Sequence, residues 1–135
     1  MAKSRDEILG LLNGNSLARL PVFGVLPSLT ASGLKRAGVK YSEAHTDAKK
    51  MADAAASTFE LFGWESAVVP FDICVEAEAL GCQVDFQNDA EIFLAPTVQL
   101  PITNYQIPKK IGGRIPLVAD AIGRLKQTVG RDIAV

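Results

Sequence analysis

Three short, almost wholly apolar runs constrain this chain most: residues 22–26 (VFGVL), 67–69 (AVV) and 133–135 (IAV). Apolar side chains at consecutive positions, rather than every second one, suit strands covered on both faces, which is the situation of parallel strands under layers of helix. The sequence between the runs has the helical period. Residues 4–13 place Ile8, Leu9, Leu11 and Leu12 at helical spacing, with Ser4 as a candidate N-cap and Asn13-Gly14 as the stop. A helical turn around 34–37 ends at Gly38, and 41–46 read as loop. Asp47 is an N-cap for a helix carrying Met51, Ala55, Thr58 and Phe62, closed by Gly63. Asp72 stands before a short helix over 73–80 that Gly81 closes, and Pro116 opens a helix carrying Val118, Ile122, Leu125 and Val129 up to Gly130. Strand and helix thus alternate, and the expected class is α/β with parallel strands.

Between the second and third runs lies an excursion. Residues 82–86 alternate apolar with polar and are expected to pair with 91–94 across the Gln87-Asn88-Asp89 turn. Residues 96–113 hold Pro96, Pro101, Pro108, Gly112 and Gly113, too many breakers for regular structure, and read as an extended connection. The third run has only three residues, whereas strands usually run to about five or six. The expectation is one truncated domain over 1–135, with a helix and lead-in over 1–20 and the first strands and helices of a larger architecture over 21–135.

Composition narrows the function classes. With 14 Lys and Arg against 15 Asp and Glu, the net charge is −1, so there is no footprint for nucleic acid or anionic lipid. No apolar run approaches the roughly 20 residues of a membrane span, and Lys3, Arg5, Asp6 and Glu7 occupy the place of a signal-peptide core; the expected location is cytoplasmic. Cys74 and Cys82 sit in apolar surroundings at a spacing that is no metal signature. Together with His45 they are at most a weak zinc candidate, and the simpler reading is two core thiols and a surface or loop histidine, with no metal site in this chain. No glycine pattern marks a nucleotide loop.

Several strings taken together carry a family resemblance: Arg19-Leu20-Pro21-Val22, Glu43-Ala44-His45-Thr46-Asp47 with Lys50-Met51-Ala52, Val69-Pro70-Phe71-Asp72 followed by residues 75–81 (VEAEALG), and Arg114-Ile115-Pro116. They resemble the uroporphyrinogen decarboxylase superfamily, and within it the methylcobamide methyltransferase branch. The resemblance implies the N-terminal portion of a (β/α)8 TIM-type barrel with parallel strands, incomplete after the third. It implies a parent enzyme that moves a methyl group from a methylated corrinoid protein to a thiol such as coenzyme M, or to tetrahydrofolate as a pterin acceptor. Zinc in such enzymes is bound by a His-x-Cys pair and a later Cys in the second half of the barrel, ligands absent from this chain, which is therefore expected to be inactive alone. One alternative is a decarboxylase-like enzyme of porphyrin biosynthesis. Against it, the loop over 27–33 (PSLTASG) lacks the Arg-Gln-Ala-Gly-Arg segment whose arginines hold the porphyrinogen carboxylates. A second alternative is a non-enzymatic, self-associating module, a homo-oligomer whose copies cover each other's strand edges.

In barrels of this kind the site lies at the C-terminal ends of the strands. The resemblance makes Asp72 the catalytic candidate, since it matches an aspartate that orients pyrrole N–H groups in the decarboxylases; Phe71 and Ile73 flank it. The plain alternative for Asp72 is a helix N-cap. Phe71, Glu76, Ser28, Thr30 and His45 are the candidate substrate or corrinoid contacts, Glu76 being preferred to Glu78 although acidic residues are favoured at both positions by the helix dipole.

Overall fold

Helix α4 (Ala48–Phe62) is the centre of the molecule because it presents side chains small enough for its neighbours to approach closely: Ala52, Ala54, Ala55, Ala56, Ser57 and Thr58 are all buried, with Met51 as the one large core residue. The computed structural model describes residues 4–24, 29–87, 95–99, 110 and 112–135. Around α4 pack α2 (Ala31–Ala37), α3 (Glu43–Thr46) and α6 (Ile115–Thr128); α1 (Ser4–Leu12) precedes them in the chain, and α5 (Val75–Ala79) packs against α6. The two buried hydroxyls on α4 bond within their own helix, Ser57 Oγ to Ala54 O at 2.6 Å and Thr58 Oγ1 to Ala55 O at 2.9 Å, so their burial leaves nothing unpaired.

The caps expected from sequence are largely in place. Asp47 accepts from the N–H of Lys50 at 2.8 Å, and Gly63 ends α4 with φ of 67°, a left-handed conformation in which glycine is unstrained. Helix α2 begins earlier than its expected turn because Thr30 caps it, Oγ1 accepting from the N–H of Gly33 at 3.0 Å. Residues 41–46, expected as loop, contain α3, whose N–H groups bond back to the carbonyls of Lys40, Tyr41 and Ser42. Phe62 is half-exposed instead of buried, and of the apolar residues on α1 only Ile8 is fully buried.

Parts of the three apolar runs come together. Residues 65–67 lie between 22–24 and 133–135: Glu65 N–H donates to Val22 O at 2.8 Å, Ala67 N–H to Ala134 O at 2.8 Å and Ala134 N–H to Glu65 O at 3.0 Å, with a parallel bridge between Ser66 and Ala134. Full ladders do not form among the described residues, and on the side of residues 22–24 side chains replace ladder bonds. Ser66 Oγ accepts from Gly24 N–H at 2.9 Å and donates to Gly24 O at 3.2 Å, and Glu65 Oε1 accepts from Val22 N–H at 2.8 Å. Residues 25–28 lie outside the described residues, and Ser28 with them.

The excursion pairs differently from expectation. Strand β1 (Val84–Asp85) runs antiparallel to β2 (Thr97–Val98), Val84 opposite Val98 and Asp85 opposite Thr97. Residues 91–94, the expected partner, lie outside the described residues, and the β-branched Thr97 and Val98 supply the pairing inside a stretch read as irregular. None of the described helices is long and apolar enough to cross a membrane.

Two stability predictions follow from this packing. A Cβ added at Gly33 would collide with Ser57 Oγ and sit 3.0 Å from Thr30 Oγ1, so Gly33→Ala should destabilise by about 1–3 kcal/mol. Adding Ser57→Ala should recover most of that loss in thermal unfolding. The second concerns acid. Arg19 grips Glu65 with both forks, at 2.7 and 2.6 Å, and this bond first of all holds the Glu65 carboxyl down from 4.5 to about 2. A carboxyl depressed in the folded state stabilises above its unfolded pKa and ceases to as pH falls through the folded one. The stability gap between the parent and Glu65→Gln, measured by urea unfolding, should therefore be constant above about pH 4.5 and close as pH falls toward 2.

Candidate functional site

Asp72, which leaves the 65–67 segment, is only 8% exposed and accepts four hydrogen bonds. Its Oδ1 takes the N–H of Cys74 at 2.8 Å and Arg114 Nη2 at 3.0 Å; its Oδ2 takes His45 Nδ1 at 2.9 Å and Arg114 Nη1 at 2.8 Å. Asp72 is thus not the N-cap of α5. That helix starts at Val75, with Cys74 in the cap position making no side-chain bond, and Asp72 instead closes a turn two residues earlier. Burial pushes its carboxyl up, but the bonds from His45, Arg114 and Cys74 outweigh burial and hold it well below the usual carboxylate range.

Arg114 belongs to the turn that leads into α6. Its Nε donates to Glu78 Oε2 at 2.6 Å, its Nη1 also reaches His45 O at 3.3 Å, and its guanidinium carbon lies 4.7 Å from the centroid of the Phe86 ring. Gly113, just before it, has φ of 57°, and a Cβ there would lie 3.0 Å from Ala79 N and 3.1 Å from Glu78 C. The glycine lets the Arg114 turn rest directly on α5, which brings the guanidinium to Asp72 and Glu78. Burial lowers the Arg114 pKa, yet the two carboxylates more than reverse that, and the residue stays charged.

His45 is neither a surface nor a loop residue. It sits on α3, fully buried, with Tyr41 edge-on at 4.8 Å and Phe71 edge-on at 6.0 Å between ring centroids. A carboxylate can only accept, so Nδ1 carries the proton in this bond. The other nitrogen, Nε2, is buried and has no hydrogen-bond partner among the described residues.

The structure therefore brings Asp72, His45 and Phe71 together and adds Arg114, Glu78 and Tyr41, none of which the sequence reading chose. Glu76 is exposed and takes no part, so of the two glutamates the other one belongs to the cluster. Ile73 points away, 92% exposed. Thr30 serves α2 as its cap. A signal for Arg114 was present in the Gly112-Gly113-Arg114-Ile115-Pro116 string, where two glycines before a helix-opening proline mark a close backbone approach.

The described residues do not fit the zinc that the resemblance implies. Cys74 Sγ donates to Pro96 O at 3.2 Å, and burial first and the Asp72 charge second push its thiol pKa up, away from the thiolate a metal needs. Among the described residues no three His, Cys, Asp or Glu side chains come together as a ligand set.

A buried carboxylate fixed between an arginine and a histidine, beside apposed apolar segments under a helical layer, is the setting in which the chain's kinship becomes informative. The chain belongs to the uroporphyrinogen decarboxylase (URO-D) family, which it matches over residues 3–135. Its similar relatives there are methyltransferases. A methylated-thiol–coenzyme M methyltransferase of Methanosarcina mazei is 33% identical over 94% of this chain and 35% of its own length, and the methylcobamide:CoM methyltransferase MtaA of Methanosarcina barkeri is 27% identical over 97% and 40%. A solved methyltransferase from Methanosarcina mazei superimposes with a TM-score of 0.86 at 27% identity, covering 98% of this chain and 41% of its own. The chain thus spans about two fifths of the length of the relatives it matches.

Proposed function

We propose that this chain forms part of a (β/α)8 methyltransferase that moves a methyl group from a methylated corrinoid protein to a thiol, and that the Asp72 cluster lies beside the reacting groups. The observation that carries the reading is the cluster itself, set in a chain whose relatives are named for methylcobamide and coenzyme M. Coenzyme M is a thiol, which favours a thiol over tetrahydrofolate as acceptor. The 27–33 loop, free of arginine, argues against a polycarboxylate porphyrinogen.

Methyl transfer of this kind needs an aligned nucleophilic sulfur, a site that excludes water, and a place for the thiol proton. The corrinoid supplies the electrophilic methyl group. From this chain, Asp72 and Arg114 hold each other and the imidazole of His45 in one orientation, while Phe71 and Tyr41 give the imidazole an apolar border.

The test is demethylation of methylcobalamin in the presence of coenzyme M, followed by the loss of the methyl-cobalt spectrum. This chain alone is expected to show none. Combined with a polypeptide supplying the remaining part of a methylcobamide:CoM methyltransferase, it should show turnover. Uroporphyrinogen decarboxylation by the combined protein, without demethylation, would sink the reading.

A further inference from the structure

One face of α4 is the floor of a groove of about 390 Å3, bordered by the end of α2 on one side and the C-terminal end of α6 on the other. Its residues on α4 are Lys49, Ala52, Asp53, Ala56, Ser57 and Glu60, which recur at alternating steps of three and one and so form a single stripe of the helix. Ala52, Ala56 and Ser57 are buried and short, so the middle of the stripe is low enough for another helix to come within about 8–10 Å between axes. The two ends carry opposite charge. Lys49, its side chain 70% exposed, stands at one, and Glu60, 47% exposed, at the other.

We propose that this groove receives a second copy of the chain, the two α4 helices lying antiparallel across a two-fold axis. A second copy is singled out because the stripe is its own complement. An axis crossing α4 between Ala54 and Ala55 sets Lys49 opposite Glu60 of the second copy, Ala52 opposite Ser57 and Asp53 opposite Ala56, and the same pairs recur in reverse. Every groove residue of α4 then faces another groove residue, with small side chains at the centre and opposite charges at both ends. The register is specific as well. Sliding the second helix by one turn in one direction sets Asp53 against Glu60, and in the other it leaves Lys49 facing Ala56.

The ion pairs within each copy extend the match. Lys49 Nζ donates to Asp53 Oδ2 at 2.6 Å, and Arg36 Nε stands 3.7 Å from Glu60 Oε2, beyond direct hydrogen-bond distance. Docking lines up Arg36 and Glu60 of one copy with Lys49 and Asp53 of the other in alternating sign, once at each end of the interface. Charges joined in such a network contribute more than isolated surface pairs. Self-association is thereby placed on the helical layer and not on strand edges.

Lys49→Glu and Glu60→Lys test this by light scattering after size exclusion and by sedimentation equilibrium. The parent chain should dimerise at micromolar concentration. Either variant alone sets like charges opposite each other at both ends and should weaken the dimer about tenfold or more. Mixed in equal amounts, the two variants should pair with each other as tightly as the parent, because the reversed charges then meet at one end and the original pair stands at the other. Both positions are exposed, so the far-UV circular dichroism of each variant should match that of the parent. A salt series on the parent needs no variant: raising ionic strength from about 0.01 to 1 M, which shortens the Debye length from roughly 30 to 3 Å, should weaken the dimer. A monomeric parent, a dimer indifferent to salt, variants that dimerise as well as the parent, as strand-edge pairing would allow, or variants that stay apart when mixed would each overturn the proposal.

Discussion

Asp72→Asn should cost about 3–5 kcal/mol of unfolding free energy, the range for breaking a buried ion pair by removing one partner. The substitution is nearly isosteric, so the loss comes from electrostatics. Four donors point at the two carboxylate oxygens. An asparagine offers one oxygen and one NH2 group, and whichever way it is turned the NH2 faces two of those donors, either His45 Nδ1 and Arg114 Nη1 or Cys74 N–H and Arg114 Nη2. Arg114 keeps Glu78 but loses its main counter-charge in a site where its side chain is 6% exposed. Arg114→Lys should also destabilise, for a related reason, since an ammonium keeps the charge but cannot grip both oxygens of Asp72 and one of Glu78 at once. Urea unfolding of the three proteins at pH 7 ranks them. If Asp72→Asn lies within about 1 kcal/mol of the parent, the value of a surface pair, the cluster is not the closed, buried network described.

Which parts of this were legible beforehand depends on the range of the interaction. Caps and stops are local, and Asp47, Gly38, Gly63 and Pro116 stand where their own chemistry put them. The 65–67 segment was recognisable as apolar, but not that Ser66 and Glu65 would spend their side chains on the backbone of residues 22–24, because those bonds span 42 and 43 residues. His45 misled for the same reason. On its own stretch it is a polar residue before a cap, and only Asp72, 27 residues on, gives it cause to be buried. Helix α3 was missed because a four-residue helix has no periodicity to read. Local sequence favours an acid at both Glu76 and Glu78, whereas the deciding partner, Arg114, lies 36 residues beyond Glu78 and is brought there by the contact of Gly113 with α5.

Leu125→Ala should destabilise by about 2–5 kcal/mol, toward the upper end of that range. Leu125 has no exposed surface, and it is on α6, which packs against α4 in a core built largely from alanines. Alanine-rich surfaces let two helices come close, but they leave larger side chains such as Leu125, Met51 and Ile133 to fill what space remains. Truncating one of these opens a cavity whose walls are short, rigid methyl groups on helical backbone, and such walls have little freedom to collapse inward. The C-terminal turn of α6 strengthens the point. Gly130 N–H and Val129 N–H both bond to Leu125 O at 2.9 Å, and a Cβ on Gly130 would lie 2.6 Å from Lys126 Cα, so this turn is already drawn tight and cannot slide to heal the gap. Ile122, on the same helix and only partly buried, is the control: Ile122→Ala should cost clearly less in the same urea series. Equal losses at the two positions would mean that α6 is held by its general apolar face and not by Leu125 seated against the alanines of α4.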